Sequence, residues 1–365
     1  MNFMAMPRVG QELSDTSEII WEAQAGRPFI LIDDEDRENE GDIVVPAQFA
    51  SAEIINFMAR YGRGLICLAI TQERASKLRL SLMARSGEAR HQTAFTHSIE
   101  ARHGVTTGIS AADRAHTIAV AIDPEATAED IVTPGHVFPL ITKEGGTFAR
   151  AGHTEAAVDV ARLAGLNPSG VICEVMNDDG TMARLPDLLR LAHLHRLKVG
   201  TIADLVAYRL RAERLVDRIL TSTFDFPTFG EWELLIYRDK IEGGEHIVLT
   251  RGNLEAAASV PVYMHVADAF SNMLLACEGG SLHDAMRRIA IEGCGAVMFV
   301  AGDKIGVSER ISDTNAPSMS NTLQRSHVAA QILVDLGVRG VTLLSKTIAE
   351  SGDFAEYGLR ITDVR

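Results

Sequence analysis

Residues 29–46 read FILIDDEDRENEGDIVVP. The stretch opens on the apolar run Phe29-Ile30-Leu31-Ile32 and closes on Ile43-Val44-Val45-Pro46. β-branched runs of this length predict two strands. Between them lie Asp33, Asp34, Glu35, Asp36, Arg37, Glu38, Asn39, Glu40, Gly41 and Asp42. So many like charges on one short connection repel, and something must offset them. Arg37 does part of this. A divalent cation does more, and hard oxygen ligands suit Mg²⁺ or Mn²⁺. A solvated acidic turn is the plain alternative. An EF-hand is excluded, because its glycine would be misplaced at Gly41 and the flanks read as strands, not helices.

The rest of the chain sets the class. It has 365 residues, enough for about two domains. A hydrophobic fraction of 46% supports ordinary globular cores. A net charge of −14 argues against nucleic acid, so an anionic substrate needs a local positive site. Cys67, Cys173, Cys277 and Cys294 form no CxxC pair, and most sit in apolar runs as small hydrophobes. Neither a signal peptide nor a long uncharged apolar span is visible, so the expectation is a cytoplasmic protein without membrane partners.

Asp15 and Glu18 suggest a capping box for a helix ended by Gly26. Ser51, Thr71 and Ser110 each suit the N-cap of a further helix. His91, His97 and His103 match no ligand spacing and read as surface residues. Gly104-Val105-Thr106-Thr107-Gly108 is a small-residue loop. The Pro134-Gly135 turn holds His136 as a candidate acid or base, although a lone histidine is more often structural. In GGTFARAGHTE, residues 145–155, the segment Arg150, Ala151, Gly152, His153 and Thr154 leads into a helix ended at Gly165. Exposed backbone N–H groups there favour an anion, with Arg150 as a fork for phosphate and Thr154 as a hydroxyl donor. His153 beside that anion could bind metal; a plain capped helix is the alternative. Glu174 in GVICEVM, residues 170–176, shares a strand face with Ile172 and Met176. A carboxylate on an apolar face is a site candidate with a raised pKa.

The motifs DDEDRENEGD, GVTTGISAADR, TPGHVFPL, RAGHTEA, GVICEVMNDDGTMAR and TIADLVAYR occur in this order. Together they resemble the 3,4-dihydroxy-2-butanone 4-phosphate synthase family over roughly residues 12–209. The resemblance is weakest over residues 85–103. It implies conversion of D-ribulose 5-phosphate to 3,4-dihydroxy-2-butanone 4-phosphate and formate in riboflavin biosynthesis, with Mg²⁺ or Mn²⁺. By motif it implies metal ligation by Glu38 and His153. It implies substrate contacts from Arg37, Glu38, Asp42, Arg150, Ala151, Gly152, His153, Thr154 and Glu174, and catalysis by His136 and Glu174. It also implies a homodimer with the site near the interface.

The expected fold is mixed α/β: a three-layer α/β/α sandwich with a mixed sheet over residues 1–209, then a second, smaller α/β domain. Tyr208 to Thr223, with RLRAERLVDR, reads as a charged connecting helix, placing a linker at 210–223 and the second domain at 224–365. SLHDAMRRIAIEGCGAVMFVAG and HVAAQILVDLGVRGVTLLSK resemble GTP cyclohydrolase II. That family needs three cysteines for zinc, and the corresponding segment VYMHVADAFSNMLLACEGG keeps only Cys277. The expectation is a catalytically silent second domain. A bifunctional enzyme that still acts on GTP is the alternative, and a non-enzymatic metal-dependent regulator is a third reading.

Overall fold

The computed structural model describes residues 13–84, 93–240, 243–267, 281–301, 319–344 and 352–364. The chain divides into two compact units, Met1–Tyr208 and Arg209–Arg365. His91, Cys277 and the segment 302–310 lie outside the described residues.

In the first unit the elements are α1 (Thr16–Gln24), β1 (Phe29–Ile32), β2 (Gly41–Pro46), α2 (Ala52–Phe57), β3 (Cys67–Ile70), α3 (Gln72–Lys77) and β4 (Ile99–Ala101). There follow α4 (Ala111–Ile122), β5 (Ile131–Ile141), α5 (His153–Leu163), β6 (Ser169–Glu174), α6 (Leu185–His195), β7 (Val199–Thr201) and α7 (Ile202–Ala212). The strands form one mixed sheet in the order β4-β5-β3-β6-β2-β1-β7. Alternation along the strands sorts the core into two layers. Ile30, Ile43, Val45, Leu68, Val171 and Cys173 pack with α2, α4 and α6. Phe29, Leu31, Val44, Cys67, Leu140 and Ile172 pack with α1, α5 and α7. The result is the expected three-layer arrangement.

Helix α5 is buried from His153 to Ala161. A Cβ built on Gly170 of β6 would lie 2.7 Å from Ala157 Cβ, so glycine lets the helix seat directly on the sheet. Gly170→Val should overpack this contact and destabilise the unit by about 1–3 kcal/mol. Urea denaturation checks this, and an unchanged midpoint would refute the close packing.

Local signals survive in part. Ser51, Thr71 and Ser110 each accept the expected capping hydrogen bond. Asp15 occupies its N-cap position but makes no side-chain cap bond; Glu18 instead pairs with Lys198 at 2.7 Å. His136 lies within the span of β5, at the end of a bulge formed by residues 133–136.

The second unit holds β8 (Val216–Phe226), β9 (Gly230–Asp239), β10 (Glu245–Arg251), β11 (Val260–Ala267), α8 (Ser281–Glu292), β12 (Gly295–Ala301), α9 (Met319–Asp335), β13 (Gly340–Leu343) and β14 (Arg360–Val364). Its sheet order is β14-β13-β11-β12-β10-β9-β8, again mixed. Trp232, Leu249, Tyr263 and Val297 pack with Ala285, Met286 and Ile289 of α8. On the other face, Tyr237 donates to Asp335 of α9 at 2.8 Å. The expected connecting helix over 208–223 is corrected. Helix α7 stops at Ala212, and Val216 onward is a strand paired along its length with β9. The β-branched and aromatic residues of VDRILTSTFDF, with a partner strand to satisfy their backbone, outweigh the helical charge pattern. Among the described residues, no helix is long and apolar enough to cross a membrane.

Candidate active site

The acidic connection between β1 and β2 is organised by Asp33, whose side chain is fully buried. Asp33 accepts from Arg37 Nη1 at 2.5 Å, from the Glu38 backbone N–H at 3.2 Å and from that of Glu40 at 2.8 Å. Arg37 Nη1 also donates to Glu38 Oε2 at 2.7 Å. The loop is thereby folded back on its first carboxylate, and Glu38 is turned toward α5.

At the N-terminus of α5, His153 is buried, with Nε2 3.2 Å from the Leu31 carbonyl oxygen. If Nε2 carries the proton it donates there, which leaves Nδ1 as the lone-pair nitrogen. Burial holds the imidazole below its usual pKa, toward the neutral form that ligates metals. One ligand atom each from Asp33, Glu38 and His153 lies within 4.8 Å of the others. This is a donor set suited to a hard divalent cation.

Pairing of β2 with β6 sets Asp42 directly across from Glu174. Asp42 is buried, and its Oδ1, 3.8 Å from His153 Nδ1, accepts no hydrogen bond. Burial, then the neighbouring Glu174, pushes its carboxyl well above the usual range. Burial also raises Glu174, and burial with Glu38 raises Glu40. An orphaned buried carboxylate oxygen among raised acids is what a cation would relieve, so the residues fit a divalent ion. The backbone N–H of Leu65 donates to Glu174 Oε2 at 2.8 Å. A Cβ on Gly64 would come within 2.5 Å of both Glu174 O and Oε2, so only glycine allows this approach.

Next to the carboxylates lies a cationic corner. Gly152 is the N-cap of α5 and makes no side-chain cap bond. A Cβ there would collide with Arg150 Nη1 and sit 3.0 Å from Arg37 Nη2, so both guanidiniums converge on this turn. Arg150 donates to Glu155 Oε2 at 2.7 Å and to Thr93 Oγ1 at 3.0 Å. Thr154 is buried in the first turn and Ala151 is exposed before it. Two guanidiniums and a helix N-terminus make an anion-binding corner.

Arg37, Glu38, Asp42, Arg150, Gly152, His153, Thr154 and Glu174 are therefore brought together. His136 is not. It lies on β5, separated by β3 from β6, the strand that carries Glu174. The sequence reading counted Asp33 in the acidic cluster without singling it out as a ligand, and it missed Glu155 as the partner of Arg150. Both lie inside quoted motifs, but their roles depend on side-chain direction. A groove of about 830 Å³ flanks α5, lined by Lys143, Asp159 and Arg162 among others; none of the candidate residues lines it.

Comparison with known proteins identifies the family. The family model for 3,4-dihydroxy-2-butanone 4-phosphate synthase matches residues 17–208, and that for GTP cyclohydrolase II matches residues 217–365. A 3,4-dihydroxy-2-butanone 4-phosphate synthase from Pseudomonas aeruginosa is 48% identical over 342 residues, covering 91% of this chain and 93% of that one. The crystal structure of a two-domain 3,4-dihydroxy-2-butanone 4-phosphate synthase from A. baumannii is 39% identical, with a TM-score of 0.78, covering 96% of this chain and 98% of that one. A synthase crystallised in complex with two magnesium ions is 36% identical, with a TM-score of 0.52, covering 55% of this chain and 98% of that one. The chain belongs to the 3,4-dihydroxy-2-butanone 4-phosphate synthase family.

Proposed function

We propose that this protein converts D-ribulose 5-phosphate to L-3,4-dihydroxy-2-butanone 4-phosphate and formate in riboflavin biosynthesis, using Mg²⁺ or Mn²⁺. The two products together have the composition of the substrate, so no external oxidant or reductant enters. The observation that carries the reading is the junction of the Asp33, Glu38 and His153 donor set with the Arg37 and Arg150 corner, beside Glu174.

Arg150, Thr154 and the N-terminus of α5 hold the phosphate. Arg37 orients Glu38 and adds positive charge at the same corner. Glu38 and His153, joined by Asp33, would hold the divalent ion. When bound, the ion would supply Lewis acidity for stabilising negative charge on the substrate. Glu174, with its raised pKa, carries protons to and from the carbon skeleton, and Asp42 keeps that environment acidic. His136 serves as a further acid or base. The active form is a homodimer with its interface near the site; the exposed position of His136, away from Glu174, supports this. Incubation with ribulose 5-phosphate and Mg²⁺, scoring formate, tests the reading. No formate from folded, metal-loaded protein would overturn it.

The second unit is proposed to be catalytically silent, because its zinc-cysteine segment keeps only Cys277. The match of residues 217–365 to GTP cyclohydrolase II favours the bifunctional alternative. The purified protein is expected to hold no stoichiometric zinc and to release no formate from GTP. Zinc at one per chain with GTP-dependent formate release would establish the bifunctional enzyme instead.

A further inference from the structure

The geometry points to Glu100 as a positioning residue for His136. The inference rests on the reading above that His136 acts on the substrate. Glu100 Oε1 lies 3.2 Å from His136 Nδ1. Glu100 is the more sheltered partner, its side chain 16% exposed against 41% for His136. A carboxylate accepts but does not donate, so in neutral His136 the proton sits on Nδ1. Nε2 is then the free base, on the side of the ring away from Glu100. In water the opposite tautomer of imidazole is ordinarily the commoner one, so the carboxylate selects a minor form.

An exposed histidine–carboxylate pair is by itself worth little. The backbone around this one is built to place it. The β4–β5 ladder pairs Ile99 with Val137 but Glu100 with Val132, so residues 133–136 bulge out of β5. Bulges re-aim side chains, and this one turns His136 toward β4. Gly135 is pressed against β4: a Cβ there would collide with the Ile99 carbonyl group. Its N–H donates to Ser98 Oγ at 3.2 Å, and Thr133 Oγ1 donates to the Ser98 carbonyl at 2.8 Å.

Glu100 is held from its other side. Gly108, at φ +85°, passes so close that a Cβ would collide with Glu100 Oε1. That loop is pinned by the buried Asp113. It accepts from Thr106 N–H at 3.1 Å, Thr106 Oγ1 at 2.7 Å and Gly108 N–H at 3.0 Å. Asp113 in turn sits on the first turn of α4, where its own N–H donates to Ser110 Oγ at 3.0 Å. The chain of support runs from α4 through the 106–108 loop to Glu100 and then to His136. It also gives the GVTTG segment a purpose: it is the wall behind the carboxylate.

The test is Glu100→Gln in the full-length, Mg²⁺-loaded protein. The expected result is a fall in kcat for formate release of at least about 10-fold, by analogy with the carboxylates that orient metal-bound histidines. KM for ribulose 5-phosphate and the melting temperature should stay near wild type. In ¹⁵N spectra of histidine-labelled protein, neutral His136 should shift from the Nδ1–H toward the Nε2–H tautomer. On a His136→Asn background, Glu100→Gln should have no further effect. If His136→Asn itself keeps wild-type kcat, the catalytic reading of His136 fails. If His136→Asn is inactive while Glu100→Gln keeps both kcat and tautomer, the positioning inference alone fails. A loss of kcat with the tautomer unchanged also overturns it, since Glu100 would then act by another route.

Discussion

Glu174→Gln is expected to lower kcat for formate release by about 10²- to 10⁴-fold, the range for removing a positioned acid or base. The fold should survive. Gln keeps an oxygen that can accept the Leu65 N–H, which lies 2.8 Å from the carboxylate now. The variant should also be the more stable protein at neutral pH. Burial raises the folded-state pKa of Glu174 above its unfolded value. In the window between the two, the folded state holds the extra proton, so stability falls as pH rises through it. Gln has no charge to lose and escapes that fall. Urea denaturation in metal-free buffer at pH 4 and pH 7 checks the sign: the advantage of Gln should be larger at pH 7. Near-normal kcat would make Glu174 a structural residue, whatever the stability.

Exhaustive chelation should abolish formate release, and Mg²⁺ or Mn²⁺ should restore it. Asp33, Glu38, Glu40, Asp42 and Glu174 crowd a region where Arg37 pairs with Asp33 and Glu38, while Asp42 Oδ1 accepts no hydrogen bond. A ligand that binds only the folded state stabilises it, by about 2.7 kcal/mol at 100 times Kd. Titrating Mg²⁺ should therefore raise the melting temperature together with activity. For Glu38→Gln and His153→Asn both responses should weaken in parallel. Activity that persists after chelation would remove the metal from the mechanism.

What was legible in the sequence was mostly local. The β1–acidic loop–β2 unit announced itself because two apolar runs bracket the charges. Ser51, Thr71 and Ser110 announced their helices because a cap is made within three residues. Glu174 stood out as a carboxylate on an apolar face. The crossing of Asp42 with Glu174 was not legible, because strand pairing between distant segments leaves no local trace. Asp33 was hidden among look-alike neighbours. Only the folded loop shows that it receives Arg37 and two backbone N–H groups while its neighbour Asp34 faces solvent. Strand β8 was misread because its charges suit a helix and the pairing with β9 that decides the matter lies further along the chain. The bulge that turns His136 toward Glu100 is likewise a property of two strands, not of one.

Asp42 and Glu174 are register partners, and both fall on the strand parity of Val44 and Ile172, the side of the sheet covered by α5. This makes the site intolerant of length changes as well as of substitutions. Inserting or deleting one residue of β6 ahead of Ile172 would turn both Ile172 and Glu174 to the opposite side of the sheet, moving an apolar core residue and a site carboxylate together. Such a change cannot be made gradually. Indels among active descendants of this chain should therefore collect in the connections and spare β2 and β6, so that new substrate preferences arise by remodelling loops around a carboxylate pair that stays in register.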